Sequence, residues 1–176
     1  MNSSPLRNPA ALHDAFLAGL ERQLEDNSLG AFVLVLANAC FDAGLFTRLE
    51  DRLRRRFAEY ERRLRGDLAR GRPVDATQDD QLVFLKLMAI GFDRLSTTES
   101  ERRNGWELQY NLLRGMRPPR YADQPAQSIR APFDPHCFNF TRTHLAGERL
   151  WAGALGDHDT ALFFNKFPFI DSHLIL

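Results

Sequence analysis

A change of hydrophobic period near residue 104 constrains this chain more than any other feature. Before that point the apolar residues keep helical spacing. Leu12, Phe16, Leu20 and Leu24 recur every fourth residue, and Leu49, Leu53, Phe57, Tyr60, Leu64 and Leu68 every third or fourth. Each set lines one side of an amphipathic helix. Gly66, Gly71 and Pro73 bring the second helix to its end. Thr77 with Asp80 resembles a capping box opening a third apolar stretch, Leu82 to Leu95, which is apolar almost all round and is therefore expected to be the most buried helix. Leu29 to Cys40 looks superficially like an export signal. It begins too far into the chain, has Glu25 and Asp26 where a basic stretch belongs, and is too short to span a bilayer, so a buried helix is expected.

After residue 104 the period falls to two. Trp106, Leu108, Tyr110 and Leu112 alternate with Glu107, Gln109 and Asn111, as a half-buried strand does, and Pro118-Pro119 is expected to end it. Tyr121 to Ser128 has loop composition. Further short strands are expected around Phe138 to Thr141, Glu148 to Ala152, Ala161 to Asn165 and Ser172 to Leu176, separated by Asp134-Pro135, Gly153, Gly156-Asp157 and Pro168. The expected fold class is α+β: a helical region, 1–104, followed by an antiparallel, β-rich region, 105–176.

Apolar residues at 44% and charged residues at 26% argue against a disordered chain, and a formal net charge of zero argues against a broad electrostatic grip on nucleic acid. The run Arg52 to Arg65 is interrupted by Glu59 and Glu61 and is expected to be a solvated helix face. Cys40 and Cys137 form no CxxC pair, which fits a reducing, cytoplasmic setting. Asp42, Asp79 and Asp80 combine with no His at metal-ligand spacing, and no GxGxxG, GxxxxGK[ST] or GxSxG occurs, so no metal, cofactor or membrane partner is expected.

Three segments carry the chemistry: Leu108 to Arg120 (LQYNLLRGMRPPR), Pro132 to Thr141 (PFDPHCFNFT) and Phe163 to Leu176 (FFNKFPFIDSHLIL). In this order they resemble the histidine-triad superfamily, in the branch of diadenosine tetraphosphate phosphorylases and GDP-hexose phosphorylases. That branch has a strand like LLNKF, a turn and a His-bearing apolar strand, and a PFD…FNFTK-like stretch in which Arg142 here stands for the usual Lys. The resemblance covers roughly residues 106 to 176. It implies an antiparallel sheet with flanking helices, and nucleotidyl transfer through a covalent nucleotidyl-histidine on a His-apolar-His-apolar-His strand. The five histidines are His13, His136, His144, His158 and His173, and no two stand two residues apart. The nucleophile is thus missing from this sequence, and this chain alone is expected to be inactive.

The resemblance places Asn165 near a nucleotide ribose, where an amide both donates to and accepts from hydroxyls. A turn-forming role before Pro168 competes with that assignment. Lys166 is a candidate phosphate contact, although alternation points it away from Asn165. Asn139 faces ligand or solvent. Arg117 and Arg120, with Arg114, are candidates for a phosphate clamp or else solvated loop residues. His173 and Pro168 take structural or supporting roles.

The run Leu174-Ile175-Leu176 has no turn or cap after it. It is expected that a missing C-terminal segment, or a second chain, completes the sheet. Three functions are therefore open. The first is the nucleotide-binding portion of a nucleotidyltransferase or phosphorylase acting on a dinucleoside polyphosphate or nucleotide sugar. The second is a non-catalytic nucleotide-binding module. The third is an interaction protein whose sheet a partner completes.

Overall fold

The computed structural model describes residues 8–74, 79–117 and 147–176, and these form an α+β fold. Four helices come first: α1 (Pro9–Glu25), α2 (Leu29–Ala39), α3 (Ala43–Ala69) and α4 (Asp79–Ile90). A hairpin follows, β1 (Glu99–Arg103) and β2 (Trp106–Tyr110), then a single helical turn, α5 (Leu112–Gly115). Strands β3 (Arg149–Leu155), β4 (His158–Phe164) and β5 (Leu174–Ile175) make an antiparallel sheet in the order β3-β4-β5.

The helix starts follow local chemistry. Asn8, Ser28 and Asp42 each accept hydrogen bonds from the first free backbone N–H groups of α1, α2 and α3. Thr77, the expected cap of the third apolar stretch, lies outside the described residues, as do Asn139, Arg120 and the strand expected at Phe138 to Thr141.

α2 occupies the centre. Every residue from Ala31 to Ala39 is buried, because α1, α3 and α4 surround it. This corrects the expectation for the third apolar stretch. α4 stops at Ile90, before a 3-10 turn at Phe92–Arg94, and buries only Val83, Phe84 and Leu87. Its outer apolar residues are half-covered, since the neighbouring helices cover one side of it. Phe84 stacks edge-on against Phe32 and Tyr60 at ring separations of 5.9 Å each, and against Phe57 at 5.3 Å.

The expected boundary at residue 104 falls inside the β1–β2 turn. Glu99 to Arg103, assigned by sequence to the helical region, pairs with Trp106 to Tyr110 instead. Asn104 and Gly105 both have positive φ, 52° and 80°, the two-residue turn that matches strand twist. β2 ends at Tyr110, well before Pro118, because the Asn111 side chain caps α5 by accepting from the Arg114 N–H at 3.0 Å. β2 is not half-buried either: Trp106, Leu108 and Tyr110 all face outward and are exposed.

The helices and the sheet share one core, with Phe164 and Phe167 in the same buried cluster as the α2 side chains. The Phe16 and Phe164 rings lie 5.4 Å apart. Gly19 of α1 permits this approach: a Cβ there would stand 2.5 Å from Phe164 Cζ and 2.9 Å from Leu150 Cδ1. Gly→Ala inside a helix ordinarily adds up to about 1 kcal/mol of stability. At Gly19 the sign reverses. The Phe164 ring is too tightly packed to retreat, and overpacking costs about 1–3 kcal/mol. Urea unfolding of Gly19→Ala is expected to show a lower midpoint than the parent protein.

Candidate functional site

The residues singled out by sequence meet at the turn between β4 and β5. Asn165 leaves β4 as the chain turns toward Phe167. Its Oδ1 accepts the Phe167 N–H at 3.1 Å, which orients the amide, and its Nδ2 then donates to His173 Nδ1 at 3.0 Å. The Asn165 N–H donates to the His173 carbonyl at 3.0 Å, closing the turn. The buried Asn38 of α2 donates from Nδ2 to the Asn165 carbonyl at 3.1 Å and to the Leu34 carbonyl at 2.9 Å, fixing the turn to the central helix. Asn165 is thus the keystone of the turn. One amide hydrogen and one oxygen lone pair remain for other partners.

The far side of the turn is held from the β2–α5 segment. Gln109 Nε2 donates to the Phe169 carbonyl at 3.3 Å, Asn111 Nδ2 to the Pro168 carbonyl at 3.1 Å, and Arg114 Nη1 to the Phe167 carbonyl at 2.8 Å. Three consecutive carbonyls without strand partners are satisfied by side chains from one short stretch. Sequence reasoning noted the motif containing these donors but not their target, which lies 53 to 60 residues further on.

Arg114 is the chemically open group. Its guanidinium lies 4.9 Å from the centre of the exposed Phe169 ring. Its described partners are this ring and a neutral carbonyl; among the described residues no carboxylate pairs with it. The Phe169 ring meets the His173 ring edge to face at 4.2 Å. Burial, and next the Arg114 charge, push the His173 pKa down from its ordinary value. At neutral pH the ring is therefore uncharged, and with its proton on Nε2 it accepts the Asn165 amide at Nδ1. Ser172, at φ 50°, carries the turn back toward α1, with its Oγ 3.1 Å from His13 Nδ1.

Lys166 is placed differently from the sequence expectation. It points away from the Asn165–His173 face, as alternation implies, but it meets carboxylates. Nζ lies 3.1 Å from both oxygens of Asp80, at the start of α4, and 2.8 Å from Glu148 Oε1, just ahead of β3. Burial opposes its charge, yet the two carboxylates outweigh burial and hold its pKa above the ordinary 10.5. Gly30 leaves room for the cluster, since a Cβ there would come within 2.8 Å of Asp80 Oδ2. A cation already shared by two anions is poorly placed to take a phosphate. Pro168 contributes its carbonyl to the turn, and Arg117 follows α5, its backbone N–H donating to the Arg114 carbonyl at 3.2 Å.

A shallow pocket of about 270 Å³ on the outer side of α1 and α3 is lined by Leu24, Glu25, Arg52, Arg55, Arg56 and Glu59. Its arginines are engaged: Arg52 pairs with Glu25, Arg56 with Glu59, and Arg55 donates to the Asp51 carbonyl. The basic run is thus a salt-bridged helix face. Burial pushes the Cys40 thiol up to about 12, leaving it un-ionised. Among the described residues no group of three metal-ligating side chains occurs, and no helix is long and apolar enough to cross a membrane. No family model, curated protein or solved structure matches the chain.

Proposed function

We propose that this chain provides the nucleotide-binding portion of a nucleotidyltransferase or phosphorylase acting on a dinucleoside polyphosphate or nucleotide sugar. The observation that carries the reading is Arg114: a guanidinium with no carboxylate partner among the described residues, fixed beside Asn165 and the neutral His173. Two of the three segments that resemble the family, Leu108 to Arg120 and Phe163 to Leu176, come together there.

The parts divide as the chemistry of a nucleotide asks. Arg114 offers a planar, permanently charged fork to a phosphate oxygen. The remaining donor and acceptor of Asn165 suit a ribose hydroxyl pair. Phe169, exposed on its outer side, offers a ring face to a base. In this reading the phosphate contact first assigned to Lys166 passes to Arg114. His173 is uncharged and donates its strength to the turn, so the covalent step belongs to histidines in alternating spacing, which this sequence does not contain.

The test is a thermal-shift titration with ADP, ATP, GDP and diadenosine tetraphosphate. A ligand that binds only the folded state at a hundred times its Kd adds about 2.7 kcal/mol. One of these nucleotides is expected to raise the midpoint in a dose-dependent way. Arg114→Gln, which keeps a donor for the Phe167 carbonyl, is expected to weaken that nucleotide by about tenfold or more through loss of a charge-assisted contact. A midpoint unmoved by every nucleotide, with the protein cooperatively folded, sinks the reading. A response unchanged in Arg114→Gln moves the phosphate elsewhere.

A further inference from the structure

The β1–β2 hairpin is an arm whose outward face nothing in the described chain covers. Its root is anchored, by the Thr98 N–H to the Cys40 carbonyl on one side and Asn111 Nδ2 to the Pro168 carbonyl on the other. Beyond the root every β1 residue is exposed, and in β2 only Gln109 is partly covered. A lone two-stranded ribbon is marginally stable in water. This one nevertheless turns its most apolar side to solvent. Trp106, Leu108 and Tyr110 are 76%, 55% and 59% exposed and, two residues apart, line one face. Their cross-strand partners share that face: Arg103 beside Trp106, Glu101 beside Leu108, and Glu99 beside Tyr110.

The charges on this face have a direction, with Arg103 at the tip and Glu99 at the root. That asymmetry is self-complementary under a two-fold axis. Two arms laid face to face and running in opposite directions bring each Arg103 to the other copy's Glu99. The same arrangement places Trp106 on Tyr110 and Leu108 on its own counterpart at the centre. We infer that the arm is a self-association surface whose occupant is a second copy of this chain, docked tip to root through Trp106, Leu108 and Tyr110. An isologous contact of this kind uses one patch twice, so its two ion pairs are identical. Glu101 meets its own copy at the axis, the one like-charge contact in the arrangement. This surface is independent of the Asn165–Arg114 site.

Sedimentation equilibrium across a range of concentrations, on the whole chain, tests the inference. The parent protein is expected to show a reversible monomer–dimer equilibrium. Trp106→Glu is expected to weaken dimerisation roughly tenfold or more, because it removes the largest aromatic from both halves of the contact. At concentrations low enough for the parent to be monomeric the two thermal midpoints should coincide, since Trp106 takes no part in the core. Arg103→Glu alone and Glu99→Arg alone should each weaken the dimer, whereas the double substitution should restore it, and Glu101→Gln should tighten it. A parent protein that stays monomeric overturns the inference. So does a dimer that Trp106→Glu leaves intact. A double reversal that fails to restore association overturns the tip-to-root pairing.

Discussion

Lys166→Met is expected to lower stability by about 3 kcal/mol, the scale of removing one member from a buried ion cluster. Lys166 is only 20% exposed, and its partners Asp80 and Glu148 are 29% and 20% exposed. Taking the cation away leaves two carboxylates with little water, close together, at a point where α4, the start of β3 and the β4–β5 turn converge. Their mutual repulsion and incomplete solvation set the cost. Replacing all three residues by neutral groups of similar size (Lys166→Met, Asp80→Asn, Glu148→Gln) is expected to recover most of the loss, because no charge is then stranded. Urea unfolding checks both variants. The midpoint should fall in the single variant with little change in slope, since the surface exposed on unfolding is nearly the same.

The pH dependence follows from the direction of the Lys166 shift. Its folded-state pKa is raised above the ordinary 10.5 by Asp80 and Glu148 against the effect of burial. The stabilisation is therefore complete below about 10.5, the value of an unperturbed lysine, and is lost as pH rises through the higher folded-state value. Unfolding measured between pH 9 and pH 12 should show a fall in stability that is smaller in the neutral triple variant.

Phe84→Ala is expected to cost about 3–5 kcal/mol, the range for deleting a buried aromatic ring. Phe84 is 1% exposed and touches the rings of Phe32 on α2 and of Phe57 and Tyr60 on α3. Removing it opens a cavity among three rings that hold one another in tilted and edge-to-face packing, which adds to the loss from area alone. Val83 and Leu87 are the only other fully buried side chains of α4, so Phe84 carries much of its apolar anchoring. Phe84→Leu, which refills most of the volume, should cost much less. The difference between the two, read from denaturation midpoints, measures the cavity rather than the ring's hydrophobicity. Detachment of α4 also loosens Asp80, so the Phe84→Ala and Lys166→Met effects should not add independently.

Much of the fold was legible in the sequence because its signals are local. The stripe Leu12, Phe16, Leu20, Leu24 became α1, and the LGAFVLVLANA run became a buried helix. The strands around Glu148 to Ala152 and Ala161 to Asn165 lie within a residue or a few of β3 and β4. Where the sequence misled, the pattern was ambiguous in a definable way. Alternation in Trp106 to Tyr110 correctly signals a strand, but alternation cannot say whether the apolar side is covered. All-round apolarity in Leu82 to Leu95 suggested deep burial, yet α4 packs along one side and breaks at Gly91, where φ is 85°.

The candidate site divides the same way. Asn165, Lys166, Pro168 and His173 were named because the segment FFNKFPFIDSHLIL resembles the family's, and all four surround one turn. What each of them touches was not visible. Lys166 meets Asp80 from 86 residues earlier, Arg114 reaches Phe167 across 53, and Asn38 reaches Asn165 across 127. By itself, then, the amino-acid order determined α1 to α3, β2 and the strands β3 to β5, since hydrophobic period acts within a few residues; β1 escaped it because ESERR carries no apolar alternation. The tertiary structure alone decided that Lys166 is spent on two carboxylates, that Arg114 meets a carbonyl and a ring but no carboxylate among the described residues, and that the Trp106 face looks outward. Those outcomes depend on which surfaces meet once the helices and the sheet pack around α2, and no local pattern encodes a partner that lies half a chain away.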